Sequence, residues 1–144
     1  SLREVVEDVV AALTVEERSR VRLGGDADGV VRGDATLLGI LVSNGLSNAL
    51  KFGSRCAIEV LADGGEVVLR IDDDGPGLAE PERAQVFEPF YRGEQARRRR
   101  VPGHGLGLAL IAHVALQHDG SAGFQERASG ARLEVRIPAL AASS

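Results

Sequence analysis

The chain has 144 residues, of which 44% are apolar and 26% charged, with a formal net charge of −4. That length corresponds to one domain, able to bury about two-thirds of its unfolded surface in a single core. No apolar run approaches the ~18 residues of a membrane span. The acidic balance argues against a general nucleic-acid surface, and a single cysteine, Cys56, excludes an internal disulfide.

The sequence contains no methionine and starts inside a helical pattern, which predicts a piece of a longer protein. Apolar residues at 2, 5, 6, 9, 10 and 13 predict a helix over 2–13 with one buried stripe. Residues 21–23 and 30–32 predict short β pieces around Gly24-Gly25-Asp26, as a hairpin or a pair of edge strands. Asp34 is the expected N-cap of a long helix running to Phe52, with Leu37, Leu38, Leu41, Val42 and Leu46 as its apolar face and Gly53 as its stop. Residues 57–61 and 67–71 predict two strands turning at Asp63-Gly64-Gly65, with Cys56 as a small buried residue beside the first.

From 79 to 102 the pattern loosens into a connector holding Phe87, Phe90, Tyr91 and Arg92. A connector of that length is mobile or functional, and its four-arginine run, Arg97 to Arg100, reads as a solvated tip. A second helix is predicted over 109–118, with Leu110, Ile111, Val114 and Ala115 facing the core. Two strands over 123–126 and 131–137, joined at Ser129-Gly130 and ended by Pro138, close the chain, and only the tail 141–144 has the composition of disorder.

Four segments have residue types suited to chemistry. Asn44, Asn48 and Lys51 share one side of the first long helix, and Phe52 follows one turn after Asn48. Asparagine is a middling helix former, so two of them stacked on an apolar helix suggest amides aimed at a partner, or else a solvated polar stripe. Asp73-Asp74-Gly75-Pro76-Gly77 ends a strand in a turn where glycines leave no Cβ in the way, so a flat ligand could lie on the main chain while Asp73 reads its edge. Taken alone, Asp and Gly between two elements are more often an ordinary turn. Phe87-x2-Phe90-Tyr91-Arg92 follows, and Gly103-His104-Gly105-Leu106-Gly107-Leu108 then opens a helix, where bare N–H groups and the positive end of the dipole suit phosphate oxygens.

Together and in this order, the four segments resemble the N, G1, F and G2 boxes of the catalytic ATP-binding domain of sensor histidine kinases. That family belongs to the superfamily that also holds gyrase-type, Hsp90-type and MutL-type ATPases. The likeness covers almost the whole chain, and residues 1–13 resemble the linker helix that follows a dimerisation domain. It implies an α/β fold: a two-layer sandwich with a mixed, mostly antiparallel sheet of about five strands, covered by about three helices, with a mobile ATP lid at 79–102.

By the same resemblance, Asn48 is the expected ligand of Mg2+ and Asn44 assists the metal or phosphates. Lys51, the only lysine in the chain, is expected on phosphate, and Phe52 replaces a common tyrosine and packs on the nucleotide. Asp73 is expected to accept a hydrogen bond from the adenine amino group, and Gly75 and Gly77 to let the base approach. Tyr91 and Arg92 belong to the expected lid, with Arg92 on the γ-phosphate and Phe87 and Phe90 fastening the lid to the body. Gly103, His104, Gly105, Leu106, Gly107 and Leu108 are expected around the phosphates. His104 stands where a small hydroxyl residue is common, and Asp119 replaces a glycine after His118, a change expected to be structural only. His118 itself is expected as a helix-end residue.

Gyrase-like and Hsp90-like relatives place a glutamate where this chain has Asn44. An amide cannot take a proton from water, which favours phosphoryl transfer over hydrolysis, with Lys51 and Arg92 as the catalytic residues. The expected function is that of a protein-histidine kinase catalytic domain using ATP and Mg2+. Its partners are a dimerisation domain carrying the acceptor histidine and, through it, a response regulator. The piece alone is expected to be monomeric and cytoplasmic, without nucleic-acid or direct membrane contact, within a parent that can be a membrane-bound sensor. The alternative is a nucleotide-binding interaction module of anti-sigma-factor or degenerate-kinase type.

Overall fold

Helix α3 (Ala35–Phe52) is the element on which the fold is laid. Asp34 caps it as expected, its Oδ1 accepting from the N–H groups of Thr36 at 2.8 Å and Leu37 at 3.1 Å. Gly53 stops it, as its composition predicts. Leu38, Leu41, Val42, Leu46 and Ala49 are all buried on one side, the three-to-four spacing of a single core-facing stripe. Gly45 sits on the same stripe, and a Cβ there would stand 2.5 Å from Cδ1 of Ile71. The absent side chain lets the helix lie directly on the sheet.

The computed structural model describes residues 1–77, 83, 87, 107–125, 127 and 129–140. Around α3 stand α1 (Leu2–Ala11), α2 (Val15–Ser19), β1 (Val21–Gly24), β2 (Cys56–Asp63), β3 (Glu66–Asp73), α4 (Gly107–Gln117), β4 (Ser121–Gln125) and β5 (Ala131–Pro138). The strands form one sheet in the order β1-β2-β3-β5-β4, in which β1 runs parallel to β2 and every other pair is antiparallel. This is the expected five-stranded mixed sheet with helices packed on one face.

Residues 57, 59, 61 and 66, 68, 70, 72 point away from the helices. There Arg70 faces Glu134 and Asp72 faces Arg132 across β3 and β5, and Arg132 grips Asp72 with two bonds of 2.8 and 3.0 Å. Opposite charges directly across an antiparallel pair stabilise this face, where Glu134 and Val68 are buried and Arg70, Asp72 and Arg132 half-buried. On the inner face, Ile58, Val60, Leu69, Ile71, Leu133 and Val135 meet α1, α3 and α4 in one core, with Cys56 buried at its margin.

Four sequence expectations change. The pieces at 21–23 and 30–32 do not form a hairpin with each other: β1 lies at the edge of the sheet beside β2, as the edge-strand alternative has it, and Val31 makes only an isolated bridge to Ala139. Pairing with a central strand buries more apolar surface than an isolated hairpin could. The first helix stops at Ala11, and a separate short helix, α2, follows, closed by a reciprocal capping box between Thr14 and Glu17. Helix α4 begins two residues earlier than its apolar pattern suggests, at Gly107. Leu110 points outward and is 40% exposed, because Ile111, Val114 and Ala115 occupy the core stripe without it.

Candidate functional site

Strand β3 ends at Asp73, whose side chain is only 7% exposed. Its Oδ1 accepts from the N–H of Gly75 at 2.9 Å. Burial pushes the Asp73 carboxyl above its ordinary pKa, and the N–H groups of Gly75 and Ala131 partly oppose that shift. A carboxylate held in this way is a fixed acceptor at the edge of an apolar sheet.

The turn after it is built from close backbone approaches. A Cβ on Gly75 would collide with the carbonyl of Phe52, so the last turn of α3 and the Asp73 turn touch main chain to main chain. Gly77 has φ +77° and faces the carbonyl of Gly130, and Gly130, with φ +73°, lies against the carbonyl of Asp73. Only residues without a Cβ permit this packing.

Asp74, which no motif singled out, ties the same corner together. Its Oδ1 accepts from the N–H groups of Ser54 at 2.7 Å and Arg55 at 3.0 Å, and its Oδ2 from the Ser54 hydroxyl at 2.7 Å. These donors, the Arg55 N–H foremost, lower its pKa to about 2.

Asn44 and Asn48 are half-buried and Lys51 is exposed along one side of α3, with Phe52 half-buried at its end. The Asn44 amide nitrogen donates to the carbonyl of Ile40 at 2.9 Å, so its other end, Oδ1, is the acceptor. That oxygen faces the first residue of α4, where a Cβ on Gly107 would stand 3.3 Å from it. The fold therefore brings Asn44 against Gly107 at the start of α4, with Leu108 next to it, and Phe52 against Gly75 in the turn that holds Asp73 and Gly77, with Asn48 and Lys51 on the stretch of α3 between. Tyr91, Arg92, Gly103, His104, Gly105 and Leu106 lie outside the described residues, as do Phe90 and the connector apart from Arg83 and Phe87. The Phe87 ring packs 5.6 Å, centroid to centroid, from Phe124 of β4.

Among the described residues no group of three or more His, Cys, Asp or Glu could hold a metal. A hard cation that keeps phosphate oxygens and waters needs only one or two protein oxygens, so the amides of Asn44 and Asn48 fit such an ion. A cleft of about 530 Å³ lies at the opposite end of the helix pair, lined by Asp34, Leu37, His118, Asp119 and Leu140 among others, and none of the expected site residues enters it.

Residues 33–141 match the family described as histidine kinase-, DNA gyrase B-, and HSP90-like ATPase. The chain belongs to that family. It is 40% identical over 123 residues to the sensor histidine kinase GtrS of Pseudomonas aeruginosa, covering 84% of this chain and 25% of that protein. It is 38% identical over 114 residues to the sensor-like histidine kinase SenX3 of Mycobacterium tuberculosis, covering 76% of this chain and 28% of that protein. The solved mycobacterial sensor histidine kinase MprB superposes with a TM-score of 0.75 at 31% identity, covering 96% of this chain and 94% of that one. Within the family, these neighbours mark the chain as a catalytic ATP-binding domain of sensor histidine kinase type. It spans about a quarter of the length of the curated relatives it matches.

The sequence reading missed Asp74. Its role rests on contacts with Ser54 and Arg55, 20 and 19 positions away, which no local spacing records.

Proposed function

We propose that this chain binds Mg-ATP and transfers its γ-phosphoryl group to a histidine on a separate dimerisation domain, as the catalytic part of a two-component sensor kinase. The observation that carries this reading is the meeting of the Asp73 turn, the amide-bearing side of α3 and the start of α4 at one corner, with an amide rather than a carboxylate at position 44.

Asp73 would accept from the adenine amino group, a choice that disfavours guanine, whose carbonyl would face a like dipole. Gly75 and Gly77 would let the base reach the main chain, with Phe52 packing beside it. Asn48, assisted by Asn44, would hold Mg2+, and the ion when bound supplies neutralisation of phosphate charge. Lys51 would place a compact charge on phosphate. Gly103, His104, Gly105, Leu106, Gly107 and Leu108 would surround the phosphates, and Tyr91 and Arg92 would belong to the lid over 79–102, with Arg92 on the γ-phosphate.

In the transfer, the bond between the γ-phosphorus and its bridging oxygen breaks, ADP leaves with the electron pair, and a P–N bond forms to the acceptor imidazole. Asn44 cannot serve as a base for water, so ATP should persist until that imidazole arrives. His118 is buried with both ring nitrogens engaged, which removes it as an acceptor. Residues 1–13 would then lead from the dimerisation domain. No helix among the described residues is long and apolar enough to cross a membrane.

Purified dimerisation domain added with γ-labelled ATP should acquire acid-labile label in the presence of this chain. Intact ATP binding without phosphohistidine would turn the reading toward a nucleotide-binding interaction module. Absence of any heat on titrating ATP with Mg2+ would end it altogether.

A further inference from the structure

Arg20 stands between α2 and β1, in a stretch that carries no motif, yet its guanidinium reaches the helix of the candidate site. Its Nε donates to the carbonyl of Ser54 at 2.8 Å, and one terminal nitrogen donates to the carbonyls of Leu50 at 2.8 Å and Gly53 at 2.9 Å. Its remaining nitrogen meets Glu16 at 3.4 Å. The Arg20 carbonyl also accepts from the N–H of Cys56 at 2.9 Å, which anchors the backbone beneath this side chain. Leu50 and Gly53 belong to the end of α3, where carbonyls lose their helical partners and the dipole is negative. A planar cation with a fork of donors suits that position better than any other side chain.

From the other side, Asp74 takes the N–H groups of Ser54 and Arg55 and the Ser54 hydroxyl. The short segment 53–55 is therefore gripped through its carbonyls by a cation and through its N–H groups by an anion. Asn48, Lys51 and Phe52 all lie within the last five residues of the helix so held. We infer that Arg20 is a positioning residue: with Asp74 it forms a two-sided clasp that holds the last turn of α3 in register for the metal and phosphates. The adenine end depends on it less: of its contacts only Phe52 belongs to the clasped turn, while Asp73 is carried by β3 and held by Gly75 and the strand ladder. This inference rests on the Mg-ATP reading above.

The two ends can be separated by calorimetric titration of the 144-residue chain with Mg-ATP and with adenosine, which lacks phosphates. Arg20→Ala should weaken Mg-ATP binding about tenfold, the scale of one charge-assisted hydrogen bond, and leave adenosine within about twofold. Arg20→Lys should recover part of the loss, since an ammonium reaches a carbonyl but cannot span three. Arg18 is exposed and its guanidinium donates to the carbonyl of Ala11 at the end of α1 rather than to α3, so Arg18→Ala should change neither titration. Equal losses for both ligands in Arg20→Ala, or no loss in a folded variant, would overturn the clasp. If Arg20→Ala does not fold, Arg20→Lys decides by the same split, and unchanged Mg-ATP affinity there counts against the proposal. A wild-type chain that takes up no Mg-ATP overturns the nucleotide reading and the clasp with it, whereas wild-type binding that Arg20→Ala leaves untouched overturns the clasp alone.

Discussion

Nε2 of His118 accepts a hydrogen bond from the backbone N–H of Asp34 at 3.1 Å, so the end of α4 is tied to the N-cap of α3. The ring's Nδ1 lies 2.8 Å from the carbonyl of Val114 and donates to it, which requires the neutral imidazole with its hydrogen on Nδ1. A Cβ on Gly33 would stand 2.6 Å from Nε2, so this joint also needs a glycine beside it. His118→Ala should cost about 2 kcal/mol, by removing two hydrogen bonds and the packing of a buried ring. Urea denaturation of the nucleotide-free chain measures this, and a loss within error of zero would show that the joint is idle.

Asp74 should confer stability that depends on pH. Its pKa is lowered in the fold to about 2 from an ordinary value of 3.8. A lowered carboxylate contributes fully above the ordinary value and loses the contribution as pH falls through the folded one. The stability gap between wild type and Asp74→Ala should therefore be constant from neutral pH down to about 4 and shrink between there and about 2. Denaturation midpoints collected across that window test the sign, and a gap that widens on acidification would contradict it.

Asp73 should behave in the opposite sense. Burial raises its pKa, so the ionised form the site needs is the form the fold disfavours. Its contribution is favourable below 3.8, the ordinary value, and is lost as pH rises through the raised one. At neutral pH, Asp73→Asn should keep or raise the thermal midpoint of the nucleotide-free chain while removing selectivity for adenine over guanine nucleotides. A scanning-fluorimetry series with ATP and GTP reads both effects, and a large fall in the midpoint with selectivity intact would reverse the assignment.

Gly75→Ala should separate the Asp73 turn from the end of α3, because its Cβ would run into the carbonyl of Phe52. Forced backbone shifts of this kind cost roughly 1–3 kcal/mol. Thermal denaturation and Mg-ATP titration should both register the change, and an unaltered ATP affinity would mean that the contact does not shape the site.

Asp119 has φ +60°, in the left-handed region, just after α4. There a side chain costs roughly 1–2 kcal/mol, partly offset by the extra flexibility of glycine in the unfolded chain. Asp119→Gly should stabilise the chain by about 1 kcal/mol without altering ATP binding. A destabilised variant would reveal a role for the carboxylate that the backbone angle does not.

The local rules of the chain were enough to place α3, its Asp34 cap and its Gly53 stop, because a helix end depends on residues three or four positions apart. The hairpin of β2 and β3 was legible for the same reason, with Gly64 and Gly65 both at positive φ in its turn. The four box-like segments, read in order, indicated the family. What sequence periodicity could not settle was partnership. Strand β1 carries no mark that it will run parallel to β2 rather than fold back on residues 30–32, since both choices satisfy the same alternation and only the core shared with α1 and α3 separates them. Leu110 and Leu116 look like their buried neighbours and are exposed because the sheet covers only one side of α4. Arg20, Asp74 and His118 acquire their roles from backbone groups 19 to 84 positions away. The spacing of this chain thus determined α3 and the hairpin of β2 and β3, and its four segments in order carried the resemblance to its family. Only the tertiary structure decided which strands pair, which apolar residues are buried and which charged side chains hold the corner together, because those depend on distances that exist after the chain has folded.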